Sequence, residues 1–181
     1  MPVRLTAQQG PPLREAGAGR PQNPTRGPGR TIEGNPVNIL KTPSAAARFA
    51  AVGLTLLAAH EVADYWLQSE REAVHKGADS AKGRIACASH VATYTAISTA
   101  AVVAVDRYLG LGLDPRRIAA GQALSAATHY AADRREPLRR LAHATGNGPF
   151  WEDGGGAPHL DQAAHKVVLA LAAAITAGGA R

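Results

Sequence analysis

A histidine and an aspartate four residues apart recur along this chain, as His60/Asp64, His129/Asp133 and Asp161/His165. On a helix that spacing stacks both side chains on one face. A further histidine, His90, stands alone in a run from Ile85 to Val105 that carries no charged residue. Imidazole nitrogens and carboxylate oxygens are donors for divalent metals, and on facing helices they build metal sites inside bundles. Left bare in an apolar interior, each such group costs on the order of several kcal/mol. They must therefore be hydrogen-bonded, charge-paired or metal-bound.

The elements that position these groups are helical. Ser44 caps a helix expected from Ala45 to about Leu67 or Gln68, apolar on most sides until His60. A polar connection, 69–83, holds Lys76-Gly77, which reads as a turn. The second helix is expected from Arg84 to about Tyr108. After a Gly110 to Asp114 turn, the third starts at Pro115, a residue suited to a first helical position, and runs to about Arg135. A short helical piece is expected around Leu138 to Ala144, and a glycine-rich loop over 145–160. The last helix opens at Leu160-Asp161 and ends near Gly178. No strand-like alternation occurs, so the fold class is all-α, with an antiparallel four-helix bundle as the default architecture.

In that arrangement the end of helix one, the start of helix two, the end of helix three and the start of helix four share one end. At about 1.5 Å per residue, His60, Asp64, His90, His129, Asp133, Asp161 and His165 all fall near it. They would serve one metal with carboxylates orienting the ligating histidines, or two metals. Any single pair is ordinarily a His-Asp hydrogen bond. The coincidence on all four helices favours a shared divalent site, zinc being the first choice. Gln68, Lys76, Tyr94, Tyr130, Phe150 and Trp151 are expected around its mouth, with the glycine-rich loop as a lid.

His60-Glu61-Val62-Ala63-Asp64 also resembles the metallohydrolase pattern His-Glu-x-x-His, with Asp64 in place of the second histidine. Glu61 then stands where the catalytic base belongs. His75, His143 and His159 fall in connections and are given no role.

Residues 1–44 hold eight of the twelve prolines and +4 of the +6 net charge, and are expected to be a disordered Pro/Gly/Arg-rich tail before a four-helix domain at 45–181. No aromatic residues interleave its arginines, so nucleic-acid binding is disfavoured. The single cysteine, Cys87, excludes an intrachain disulfide and a thiolate zinc cluster. The N-terminus has no apolar stretch of the kind a secretory signal needs.

Taken in order, His-x-x-x-Asp-(Tyr/Phe)-x-x-Gln, Lys-Gly, a His followed four residues later by Tyr, His-x-x-x-Asp and Asp-Gln-x-x-His resemble the bacterial and phage family called domain of unknown function 3307. The matching residues are His60, Asp64, Tyr65, Gln68, Lys76, Gly77, His90, Tyr94, His129, Tyr130, Asp133, Asp161, Gln162 and His165, within about 50–178. The resemblance implies a helical, usually membrane-embedded protein and no known reaction. Glu61 is not one of its positions.

The four apolar segments approach the ~20 residues that cross a bilayer. Segment length and the resemblance favour a multi-pass protein of the cell membrane over a soluble cytoplasmic bundle. Their Ala, Gly, Ser and Thr content argues the other way. The leading functional expectation is a metal-dependent hydrolase acting on a lipid-like or phosphate-containing small substrate. The alternatives are a non-enzymatic bundle held in register by His-Asp hydrogen bonds, and a nucleic-acid or lipid binder acting through its basic tail.

Overall fold

The computed structural model describes residues 43–178, and among these every regular element is helical. Helix α1 is Ala45–Val62, continued by a π turn over Ala63–Leu67; α2 is Glu70–His75; α3 is Ala81–Leu109; α4 is Pro115–Asp133. Then come α5, Glu136–Ala144, α6, Gly148–Glu152, and α7, Ala157–Ala177. The expected tail, all but Pro43 and Ser44, lies outside the described residues.

Local chemistry sets the boundaries. The Ser44 hydroxyl accepts from Ala47 N–H at the start of α1, and Ser80 accepts from Gly83 at the start of α3. Ser69 and Glu72 form a reciprocal capping box that nucleates α2 within the polar connection. Burial works against ionisation of Glu72, but hydrogen bonds from Ser89 and Ser69 hold its carboxyl below its usual range. Asp114 caps α4 through Arg116 N–H, with Pro115 as first helical residue. Upstream of that cap, Asp106 accepts from Leu113 N–H, which ties the turn back to α3.

The four long helices meet pairwise: α1 packs on α3 and α7, and α4 packs on the same two. Val52, Leu56, Tyr94, Val102, Ile118 and Leu169 form the middle of the shared core, filled out by Ala172 and Ala173. The alanines permit close approach. At Gly121 of α4 a Cβ would run into Thr176 Oγ1 and the Ala172 carbonyl of α7, so this crossing requires glycine.

Three differences from the sequence expectation stand out. Helix one does not run regularly to Leu67, because its last turn widens to π geometry from Ala63. The connection after α1 contains α2, and 145–160 is largely helical, holding α6 and the first turn of α7. Finally, among the described residues three helical segments rather than four are long and apolar enough to cross a membrane: Ala45–Leu67, Ala81–Leu109 and Ala157–Ala177. The α4 helix falls outside that set because its inward face is polar, with Gln122, Ser125 and His129, and its outward face is mostly alanine. In an apolar 18-residue stretch of each span only 28%, 28% and 33% of the residues are buried, so most of that apolar surface faces outward. Leu54, Leu57, Trp66, Ile85, Val167 and Leu171 are among the large side chains exposed there.

Candidate metal centre

His60 is carried by the last turn of α1 and Asp64 by the π turn that follows it. Such turns occur mostly as short insertions in α-helices, often at functional sites. His90 projects from the third turn of α3, His129 and Asp133 from the end of α4, and Asp161 and His165 from the start of α7. All four histidines and Asp133 are buried, and Asp161 and Asp64 are half-buried. The structure thus brings together at one end all seven residues singled out for metal binding.

Four ligand-type atoms form the tightest set. His90 Nε2 and His129 Nε2 are 3.0 Å apart. Asp64 Oδ1 lies 3.3 Å from His90 Nε2 and 3.7 Å from His129 Nε2. Asp133 Oδ2 lies 3.5 Å and 3.3 Å from the same two nitrogens. A tetrahedral ion with bonds of about 2.0 to 2.2 Å keeps its ligand atoms about 3.3 to 3.6 Å apart. Asp64, His90 and His129 thus offer three donor atoms mutually close enough for one divalent ion, and Asp133 Oδ2 stands against the two imidazoles without joining that group.

Two further groups adjoin this set. His60, His129 and His165 each offer a ring nitrogen, all within 4.8 Å of one another, and so do donor atoms of Asp133, Asp161 and His165. The His165 tautomer is fixed by geometry. Its Nδ1 is 2.9 Å from the Asp161 backbone carbonyl, which can only accept, so Nδ1 carries the proton and Nε2 keeps its lone pair. That Nε2 is buried without a hydrogen-bond partner, as are His129 Nδ1, both ring nitrogens of His60, Asp64 Oδ1 and Asp133 Oδ2. Most buried polar groups in folded proteins are satisfied. These six orphans are atom types that could hold a metal ion, and Gln68 Nε2, an amide donor, is a seventh.

Second contacts hold the ligands in place. The Tyr94 ring stacks on His129 with centroids 4.3 Å apart, and its hydroxyl is bonded to Ser125. Lys76 Nζ sits 2.9 Å from Asp133 Oδ1, leaving Oδ2 for the centre. Arg134 secures the Lys76 backbone: its two Nη atoms donate to the carbonyls of Lys76 and Ala78, each at 2.8 Å.

The residues expected around the mouth divide. Lys76 and Trp151 line the solvent basin outside Asp133 and Asp161, and Gln68 Nε2 is buried without a partner at the end of the π turn. Tyr94 is fully buried beneath the centre rather than at its rim. Tyr130 turns to the outer groove it shares with α3, and Phe150 stacks on His159. Glu61 is half-buried one residue past His60, about 100° further round the helix, and belongs to none of the three donor groups. Among the connection histidines, His143 is tied to Glu152 at 2.9 Å, and Arg139 donates to the same carboxylate at 2.6 Å. These two bonds hold the Glu152 carboxyl below its ordinary range and clip α6 to α5.

Some interior groups were not singled out by spacing alone. Ser98 donates to Gln122 Oε1 at 2.8 Å one helical turn beyond the Tyr94/Ser125 pair. The signal was present, since Tyr94 and Ser98 are four apart on α3 and Gln122, Ser125 and His129 follow one stripe of α4. No family model, no curated protein and no solved structure matches this chain.

Proposed function

We propose that this chain is a membrane-embedded antiparallel four-helix bundle with a divalent-metal centre, zinc first, and that it works as a metal-dependent hydrolase. The observation that carries the reading is the buried group Asp64, His90 and His129, whose donor atoms are 3.0 to 3.7 Å apart, with Asp133 Oδ2 at 3.5 and 3.3 Å from the two histidine nitrogens. His60, His165 and Asp161 adjoin it and would complete a second ion's donor set or orient the first. Bound there, a divalent ion supplies Lewis acidity that makes water a usable nucleophile near neutral pH. The chain's own residues do the rest. Tyr94 and Lys76 fix the orientation of His129 and Asp133, and the buried setting strengthens every charge interaction at the centre. Glu61 is given no part, because none of the contacts at the centre involves it.

Support for the membrane reading comes from the outward apolar faces and from their ends. Trp66 and Tyr65 are exposed at the centre's end of α1, and Tyr108 is 88% exposed at the opposite end of α3. His90 to Tyr108 spans about 27 Å of helix, close to a hydrocarbon core of about 30 Å. Aromatic residues at both levels suit the two interfaces. Membership of the domain of unknown function 3307 family is part of the same proposal, resting on the residues that carry the resemblance.

The structural alternative draws on the His90 Nε2 to His129 Nε2 hydrogen bond and on the close His-Asp contacts, 3.3 Å for both His90 with Asp64 and His129 with Asp133. It leaves both ring nitrogens of His60, His129 Nδ1 and His165 Nε2 without hydrogen-bond partners. Elemental analysis of the full-length protein, beside a His129→Ala, His165→Ala double variant, separates the two. Stoichiometric metal in the parent and its loss in the variant is expected; a metal-free parent after purification without chelator, and still metal-free after zinc dialysis, would overturn the proposal. The fraction recovered with membranes tests insertion, and complete recovery in a detergent-free supernatant would contradict it.

A further inference from the structure

An apolar cavity of about 210 Å³ lies between α4, α5 and α7, with Ala131, Pro137 and Leu141 exposed at its mouth. Among the described residues no Asp, Glu, Lys or Arg lines it. Its inner end is formed by His60, His129 and His165, each at most 4% exposed. A larger basin of about 880 Å³ on the other face of α5, along Glu136, Arg139 and Arg140, shares none of its residues. The amphipathic α5 thus keeps charge on one side and hydrocarbon on the other.

The hydroxyls of the lining are already engaged. The Tyr94 hydroxyl is bonded to Ser125, and Thr128 donates back along α4 to the Leu124 carbonyl at 2.8 Å. Two of the histidines are open. His165 Nδ1 holds its proton against the Asp161 carbonyl, so Nε2 can only accept, and it has no partner. Both ring nitrogens of His60 lack a partner as well, since Asp64 Oδ2 stands 3.6 Å from Nε2, beyond hydrogen-bond reach. A neutral imidazole has one N–H and one lone pair, so His60 offers a donor in either tautomer. The centroids of the two rings are 4.9 Å apart, a spacing that one oxygen atom can bridge.

We infer that the cavity binds an uncharged alkyl alcohol, its chain between α4, α5 and α7 and its hydroxyl at the inner end, donating to His165 Nε2 and accepting from His60. A hydroxyl is donor and acceptor at once. A carboxylate or a carbonyl has no proton for Nε2, and a charged head would meet no counterion in this lining. Water would satisfy the nitrogens but leave the apolar walls bare, and apolar cavities of about 150 Å³ stay dry and take a hydrocarbon guest instead. The site uses neither Asp64 nor His90 and asks for no bound ion, so it goes beyond the metal-centre reading.

The test is calorimetric titration of full-length protein in nanodiscs, zinc-loaded and chelator-treated, with hexanol, hexyl methyl ether and hexanoate, each blanked against empty nanodiscs. Hexanol is expected to bind in both metal states, at least about tenfold more tightly than the ether, which has no proton to give. Hexanoate is expected not to bind. Ala164→Leu, which fills the cavity from α7, is expected to weaken hexanol by at least about tenfold without lowering Tm. His165→Phe is expected to bring hexanol down to the affinity of the ether. Equal affinity for hexanol and the ether, hexanoate bound as tightly as hexanol, heats no different from empty nanodiscs, or no response to either variant would overturn the inference. Binding confined to one metal state would also overturn it, because the hydroxyl or the histidine lone pairs would then belong to the ion. If the protein holds zinc and hexanol does not bind, this inference fails and the metal centre stands. Hexanol bound with the expected variant pattern to a protein that takes up no zinc would do the reverse.

Discussion

The two ends of the long helices bury polar groups to opposite effect. Away from the centre, Ser98 pairs with Gln122, and Arg48 reaches through Nε to the Ala177 carbonyl at 3.1 Å and through Nη1 to the Pro43 carbonyl at 2.7 Å. At the centre, seven buried atoms on His60, Asp64, Gln68, His129, Asp133 and His165 lack a hydrogen-bond partner. Both regions are packed by the same helices, so loose packing does not explain the contrast. An unsatisfied buried group costs about 1 to 3 kcal/mol, and a fold that closes its polar contacts at one end leaves them open at the other for a ligand.

Breaking the buried charge pair should have the largest effect. Asp133→Ala leaves Lys76 facing the interior without its carboxylate, and should cost about 3 to 5 kcal/mol in denaturant unfolding while removing metal. Withdrawing the metal comes next. Zinc at a hundred times its dissociation constant adds about 2.7 kcal/mol, so a chelator should lower Tm by roughly 5 to 10 °C. An unchanged Tm in chelator, for a protein shown to be loaded beforehand, would place the His-Asp contacts with the structural pairs at the other end.

Ser98→Ala is the matched control. It leaves Gln122 Oε1 without its donor and should cost about 1 to 3 kcal/mol with metal content unchanged. The smallest effect concerns Glu152, whose carboxyl is lowered by His143 first and then Arg139. A depressed folded value means that the clip between α5 and α6 is fully present above the unfolded carboxylate value of about 4.3 and is lost as pH falls through the folded value. Hydrogen exchange of α6 amides should therefore stay flat from pH 7 to 5, once corrected for intrinsic rates, and lose protection only below about pH 4.

The contrast also explains what the sequence could reveal. The i,i+4 spacing of His60/Asp64, His129/Asp133 and Asp161/His165 survives folding because helix geometry alone puts each pair on one face, and the alternation of long helices brings those faces to one end. What spacing could not give is rotation about each helix axis. Tyr130, adjacent to His129, turns outward to the α3 groove, while Tyr94, four residues after His90, lies beneath the centre. Glu61 drew attention as a motif residue, yet a one-residue step carries it about 100° round the helix. The π turn over Ala63–Leu67, which packs against α3, leaves no mark in composition. The role of α5 as a wall between two openings arises only when α4, α5 and α7 come together.

X-ray absorption on the zinc-loaded, full-length protein tests the central claim most directly. The account predicts a first shell of nitrogen and oxygen only, at about 2.0 to 2.2 Å, with the outer-shell scattering of imidazole. A sulfur contribution at about 2.3 Å, or a zinc shell without imidazole, would contradict it.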